Sequence, residues 1–338
     1  EMIIIDEVSM VRADLMDCID AFLRLYGPKN KEAFGGVPMI LIGDLYQLAP
    51  VVLPDERYIF QTIYKSPYFF DAKVFEEVNL EILEFEKNYR QQDQNFLNLL
   101  DAIRRNRITP EHLCTLNTRH DPFFEPGDDE FYVYLTTTNK LADQINYERL
   151  HALNEDLFTH DGKVEGNFKN KNLPTHETLD LKIGSQVMLL NNDPEKQWVN
   201  GSIGEITDIF NAGFNAMAVQ VTLADGKKVE VEPFKWEIFQ FYYNEEKEAI
   251  ESRAVGSFKQ FPMKLAWAIT IHKSQGKTFS NIVVDIGRGA FCHGQIYVAL
   301  SRCTTFDGIV LKRKIRSRDI YMDAQVNRFL NDDYQGGI

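Results

Sequence analysis

Two continuous apolar runs, each ending in acidic residues and separated by one amphipathic stretch, restrict this chain more than any other feature. Met2 to Ile5 runs into Asp6-Glu7, and Val37 to Ile42 runs into Gly43-Asp44. Apolar residues without alternation are the pattern of a strand covered on both faces, as in parallel sheets. Between the runs, Val11, Leu15, Ile19, Phe22 and Tyr26 recur every three or four residues and predict a helix with those side chains inward. Strand, helix, strand is a βαβ unit, which commits the region to a parallel α/β sheet. Open α/β sheets place ligand chemistry at the carboxyl tips of their strands. From the pattern alone, an acidic pair at such a tip reads equally well as a solvated turn.

A second α/β region is expected after Leu80. Phe96, Leu99, Leu100 and Ile103 predict a helix. Phe131 to Leu135 predicts a strand leading into Thr136-Thr137-Thr138-Asn139, followed by a helix capped by Thr138 or Asn139. Gly162 to His176 reads as a loop or hairpin. From Leu181 the pattern changes to short β runs at Gln186–Leu190, Gly204–Phe210, Met217–Leu223 and Lys228–Glu232, with turns at Asn211-Ala212-Gly213 and Asp225-Gly226. This predicts a small barrel inserted into the second region, which resumes near Leu265 with buried strands at Ile282–Ile286 and Ile309–Leu311. The 338 residues suffice for about two such α/β domains.

The net charge of -13 argues against a polyanionic partner unless the charge is uneven, and it is. Arg253 to Arg318 holds twelve Lys and Arg against Asp285 and Asp307, a local balance of +10 that leaves -23 for the rest. A solvated face explains a basic segment as well as a nucleic-acid path does. The four cysteines, Cys18, Cys114, Cys292 and Cys303, form no Cys-x-x-Cys pair, so a zinc ribbon or disulfide framework is not expected, and a reducing compartment is. No apolar run reaches the roughly 18 residues of a membrane span. The histidines show no metal-ligand spacing.

In a P-loop NTPase, the first acid after an apolar strand holds Mg²⁺ and the next acts on the attacking water. A glutamine past a neighbouring strand tip, such as Gln47 in Gly43-Asp44-Leu45-Tyr46-Gln47-Leu48-Ala49-Pro50-Val51, can reach the γ-phosphate. Together with Met2-Ile3-Ile4-Ile5-Asp6-Glu7-Val8-Ser9-Met10, this segment resembles the Walker B segment and motif III of superfamily 1 helicases. Phe34-Gly35-Gly36-Val37-Pro38 is similar to the PIF branch in particular. The resemblance continues in order: Lys87-Asn88-Tyr89-Arg90-Gln91 with motif IV, Thr136 to Lys140 and the helix through Asn146 with a segment on the single-strand path, Thr270 to Gly276 with motif V, and Gln295 to Arg302 with motif VI. The chain is identified by these motifs as a member of the PIF/RecD-like helicases.

The resemblance implies two RecA-like lobes, residues 1–82 and residues 83–180 with 256–338, and a Src-homology-3-like barrel at 181–255. It implies ATP and Mg²⁺ as cofactors, with Asp6 on the metal, Asp6, Glu7, Gln47, Arg90 and Arg302 as catalytic residues, and Gln47, Arg90, Gln275, Gly276 and Arg302 on the nucleotide. Thr137, Asn139, His272, Lys273 and Ser274 would contact DNA. The implied partners are single-stranded and forked DNA, with no membrane; the implied protein is a monomer moving 5′ to 3′ in the cytoplasm or, in a eukaryote, the nucleus, with roles in repair, recombination and telomere maintenance. A RecD-type exonuclease or relaxase-associated subunit, or a non-catalytic DNA-binding module, are the alternatives. Only five residues precede Asp6, so a Gly-x-x-x-x-Gly-Lys-Thr loop would lie upstream of Glu1, and these residues alone are expected not to turn over ATP. Ile271 to Thr278 ends in Gly-Lys-Thr but has Ile271 where the first glycine belongs, and a strand is expected after it.

Overall fold

Ile3–Ile5 and Met39–Leu41 pair in parallel, Ile3 opposite Met39 and Ile5 opposite Leu41, with the helix Ala13–Tyr26 as the crossover. The computed structural model from which this is read describes residues 2–78, 80–85, 87–127, 130–168, 173–213, 216–244 and 249–332. The fold is α/β with parallel sheets of RecA-like type, as expected. The chain gathers into two compact units, residues 1–124 with 271–338, and residues 125–270.

In the first unit, one face of the strand pair is covered by a core of Val8, Ala13, Met16, Phe34, Phe60, Phe69, Ala72 and Val74, against which Ile5, Met39 and Leu41 pack. Met2, Ile4, Ile40 and Ile42 are exposed on the other side. Coverage of both faces, the expectation from the unalternated runs, is therefore not found among the described residues. The crossover helix corrects a second expectation. It buries Ala13 and Met16 and packs Ile19 and Leu23 inward, whereas Leu15, Phe22 and Tyr26 face solvent. The helix carries two apolar stripes, and the one with the small residue Ala13 lets the backbone approach the Phe69–Glu76 turns. Phe22 and Tyr26 instead pack on each other, ring centroids 4.8 Å apart.

The helix Gln94–Arg104 begins at Asp93, whose carboxylate accepts from the N–H groups of Asn95 and Phe96, an N-cap that satisfies two otherwise unpaired donors. It buries Phe96, Leu99, Leu100 and Ile103, the face the periodicity predicts. Asn281–Asp285 and Ile309–Leu311 pair in parallel and are almost wholly buried.

In the second unit, Tyr132–Thr136 pairs in parallel with Ala268–Thr270. The helix Asn139–Ala152 follows, with Thr138 Oγ1 accepting from Leu141 N–H. Asn146 on this helix clamps the second strand: its amide nitrogen donates to Ala268 O (2.8 Å) and its oxygen accepts from Ala268 N–H (2.9 Å). Asn146→Ala would leave both strand groups without that partner, and the expected cost is about 2–3 kcal/mol in urea unfolding, with Asn146→Asp, which keeps the acceptor alone, in between.

The four expected β runs, joined by the unforeseen Met263–Leu265, form a five-stranded antiparallel sheet in the order Lys228–Val231, Ala216–Leu223, Ile203–Gly213, Gln186–Leu189, Met263–Leu265. Its core holds Val187, Leu189, Ile206, Val219, Val221, Val229, Val231, Phe261 and Met263. The last strand lies beyond residue 255. Phe234–Asn244 and Ala249–Gln260 make a long hairpin, unforeseen in the sequence, and Lys163–Gly166, in the segment read as a loop or hairpin, adds a third strand to it. No helix among the described residues is long and apolar enough to cross a membrane.

Candidate nucleotide and DNA site

Asp6 and Glu7 leave the strand tip through a sharp turn. Glu7 has φ 50 and ψ 41, a left-handed conformation that side-chain-bearing residues adopt at a cost. The turn is held because the next N–H, of Val8, donates to Ile42 O at 2.9 Å, past the end of the neighbouring strand. Asp6 is exposed and its Oδ1 accepts from Glu7 N–H at 2.8 Å. The Glu7 carboxylate accepts from the side-chain amide of Gln275 at 2.9 Å, although the two residues are 268 positions apart. Gly276, at φ 74, presents its backbone to the same carboxylate; a Cβ there would sit 3.6 Å from Glu7 Oε1.

Arg302 ends the short helix Gln295–Ser301 and is 1% exposed. Its guanidinium donates to Val298 O (3.0 Å), Lys277 O (3.3 Å) and Ser301 Oγ (2.9 Å). Burial, then repulsion from Arg90, pulls its pKa down to about 10, so it remains charged at neutral pH. Arg90 donates to Ser301 O at 3.1 Å, and Gln91 donates to Ser301 O and Cys303 O at 3.1 and 3.0 Å. Asn88 sets up this docking: its side chain accepts from the N–H groups of Arg90 and Gln91 in an Asx turn. Two guanidinium groups thus sit close together, held by backbone oxygens, and neither forms an ion pair with a carboxylate among the described residues. A buried charge so arranged is costly unless an anion joins it.

Gln47 donates weakly to Asp44 Oδ2 at 3.3 Å, and its own oxygen is buried without a hydrogen-bond partner, as is that of Gln275. Asp44 faces Arg104 at 3.5 Å, whose guanidinium lies over the Tyr46 ring at 4.3 Å. Tyr297, half-buried beside Asp44, is pushed above the usual phenol range by desolvation and then by that negative charge. The His272 and Lys277 side chains are held below their usual ranges by burial.

The structure brings Glu7, Gln275 and Gly276 together, with Arg302 close by through its bond to Lys277 O and its electrostatic interaction with Glu7, and with Arg90 beside Arg302. Lys273 is exposed, His272 half-buried, and Ser274 wholly buried with its hydroxyl donating to Ile271 O at 2.7 Å. Thr137 and Asn139 lie in the second unit, Thr137 buried at the strand end and Asn139 exposed in the first turn of its helix. Phe279 to Cys303 pairing and the strand Asn281–Asp285 follow Gly276-Lys277-Thr278, as expected of a segment that is not a P-loop. Gln91, Arg104 and His293 are polar anchors that sequence did not single out as such; the only local signal was Asn88, an Asx-turn former two residues before Arg90.

Among the described residues, no three His, Cys, Asp or Glu side chains converge to hold a metal. A single exposed carboxylate such as Asp6 nevertheless fits Mg²⁺, which keeps several waters and takes one or two protein ligands with substrate phosphate. The four cysteines are unpaired thiols.

The family model for PIF1-like helicase matches residues 1–112. The ATP-dependent DNA helicase Pif1 of Campylobacter jejuni is 30% identical over 315 residues, 90% of this chain and 67% of that protein. A Bacteroides Pif1 helicase in complex with ADP-AlF3 and single-stranded DNA is 35% identical with a TM-score of 0.77, covering all of this chain and 76% of that one. A structure of two coordinating Pif1 helicases unwinding forked duplex DNA is also 35% identical, with a TM-score of 0.75, covering all of this chain and 75% of that one. On this likeness over nearly its whole length, the chain belongs to the PIF1-like helicases.

Proposed function

We propose that this chain forms the larger part of an ATP-dependent DNA helicase that moves 5′ to 3′ along single-stranded DNA and acts at forks. The observation that carries the reading is the buried Arg302 beside Arg90 with no carboxylate on either, together with the Glu7 carboxylate held by Gln275. Phosphoryl transfer demands positioned positive charge and an oriented water, and little else from the protein. Glu7 would orient or deprotonate that water, Gln47 would report the γ-phosphate, and Arg90 and Arg302 would face the charge that develops on it. Gln275 and Gly276 would border the same phosphates. Mg²⁺, carried by Asp6, would supply charge neutralisation when bound. On the DNA side we propose His272, Lys273, Thr137 and Asn139, with Ser274 supporting its turn from within.

The lobe limits in this proposal are 1–82, 83–180 with 256–338, and a barrel at 181–255, which contacts DNA and not ATP. We further propose a monomer as the moving unit, in a reducing cytoplasm or nucleus, in keeping with four free thiols. The decisive experiment compares phosphate release, with Mg²⁺ and single-stranded DNA, from a polypeptide of these 338 residues and from one extended upstream through a P-loop. The shorter is expected to turn over negligibly and the longer to be stimulated by DNA. Robust Glu7-dependent turnover by the shorter would mean that the nucleotide is held in another way, and absence of turnover from the longer would favour a non-catalytic DNA-binding module.

A further inference from the structure

His293 is 4% exposed and lies two residues before the helix that ends in Arg302. Its Nδ1 accepts from the backbone N–H of Asp323 at 3.0 Å, which requires that nitrogen to be unprotonated. The proton of the neutral ring is therefore on Nε2, which donates to Leu45 O at 2.9 Å. Leu45 belongs to the loop from Asp44 to Gln47. The residue after His293 touches the same loop: Gly294 has φ 71, and a Cβ there would fall 2.4 Å from Gln47 O and 2.5 Å from Tyr46 O. No side chain fits that gap, so the 44–47 backbone rests directly on the start of the Arg302 helix. From Gly294 the path to Arg302 is short: Gly294 O accepts from Val298 N–H at 2.8 Å, and Val298 O accepts from Arg302 Nε at 3.0 Å.

We propose that His293 and Gly294 form a tether that makes the Gln47 loop and the Arg302 helix respond to nucleotide as one body, with His293 a positioning residue for Gln47. The inference rests on the nucleotide reading of Gln47 and Arg302 given above. Its physical content is that Gln47, whose amide oxygen has no partner and whose amide nitrogen has one long hydrogen bond, is located mainly by its backbone. Besides the turn's own bonds to Asp44 (Gln47 N–H to its O at 2.9 Å, Tyr46 N–H to its Oδ1 at 3.1 Å) and the packing of Leu45, that backbone is held toward the Arg302 helix by one imidazole N–H and one glycine contact.

The two ring nitrogens permit an atom-resolved test. An asparagine side chain reaches about as far as Nδ1, so His293→Asn can keep the Asp323 bond and loses the Leu45 bond. A glutamine reaches about as far as Nε2, so His293→Gln can keep the Leu45 bond. In the P-loop-containing protein, His293→Asn is expected to lower DNA-stimulated kcat about tenfold with KM for ATP within about twofold, and to speed hydrogen exchange at the amides of Tyr46 and Gln47. His293→Gln is expected to recover kcat to within about threefold and restore the exchange protection. Equal loss in both variants, in parallel with Tm, would reduce His293 to a packing residue, and unchanged exchange at residues 46 and 47 in His293→Asn would overturn the tether whatever the activity. If the unsubstituted protein hydrolyses no ATP, the nucleotide reading falls, whereas the exchange experiment still decides the tether.

Discussion

Glu7→Gln, made in the P-loop-containing protein, is expected to lower DNA-stimulated ATP hydrolysis by about 10²- to 10⁴-fold, the range for removing a positioned general base, and to leave nucleotide binding within a few-fold. The substitution is nearly isosteric, and the side chain keeps an oxygen to accept from the Gln275 amide at its 2.9 Å position. The backbone strain at φ 50 is the same for both residues. What changes is the charge and the ability to take a proton. Phosphate release and equilibrium binding of a fluorescent ATP analogue, measured side by side, separate the two effects. Equal losses in both would place Glu7 in binding, and retention of turnover would remove it from the chemistry.

Arg302→Ala is expected to slow single-turnover hydrolysis by about 10³-fold or more, the range for loss of an arginine that meets transition-state charge. Its effect on stability has two opposing parts. Removing a buried cation that has no carboxylate partner relieves desolvation, but Val298 O, Lys277 O and Ser301 Oγ each lose a donor and a cavity opens. The comparison that isolates chemistry is Arg302→Lys. A lysine retains charge but cannot span three acceptors with a planar fork, so its rate is expected to stay far below that of the unsubstituted protein while Tm moves less than in Arg302→Ala. A rate that tracks Tm across the two variants would count against a catalytic role.

Much of the frame is legible in sequence because it depends on short-range patterns. The unalternated runs gave a parallel pair, Phe96 to Ile103 gave the correct buried helix face, and Thr138 caps where a threonine ahead of a helix should. The crossover helix misled because its sequence offers two apolar stripes, and only packing against the Phe69–Glu76 turns selects Ala13 and Met16. The hairpin Phe234–Asn244 with Ala249–Gln260 was missed because its first strand has aromatic residues at both odd and even positions and its second has few large apolar residues, so neither shows a plain apolar–polar alternation. In the site, residue types were visible but their meetings were not. Glu7 reaches Gln275 across almost the whole chain, and His293, Gln91 and Arg90 bind backbone carbonyls, which carry no residue-type signal. Motif order by resemblance supplied what spacing could not.

The left-handed turn at Glu7 has a consequence for how this protein can change over generations. A residue with a side chain held at φ 50 costs about 1–2 kcal/mol that glycine would not. Selection for stability alone would therefore favour glycine over Glu7. Stability and the proposed chemistry thus pull position 7 in opposite directions, and a change to glycine would trade the carboxylate for a relaxed turn.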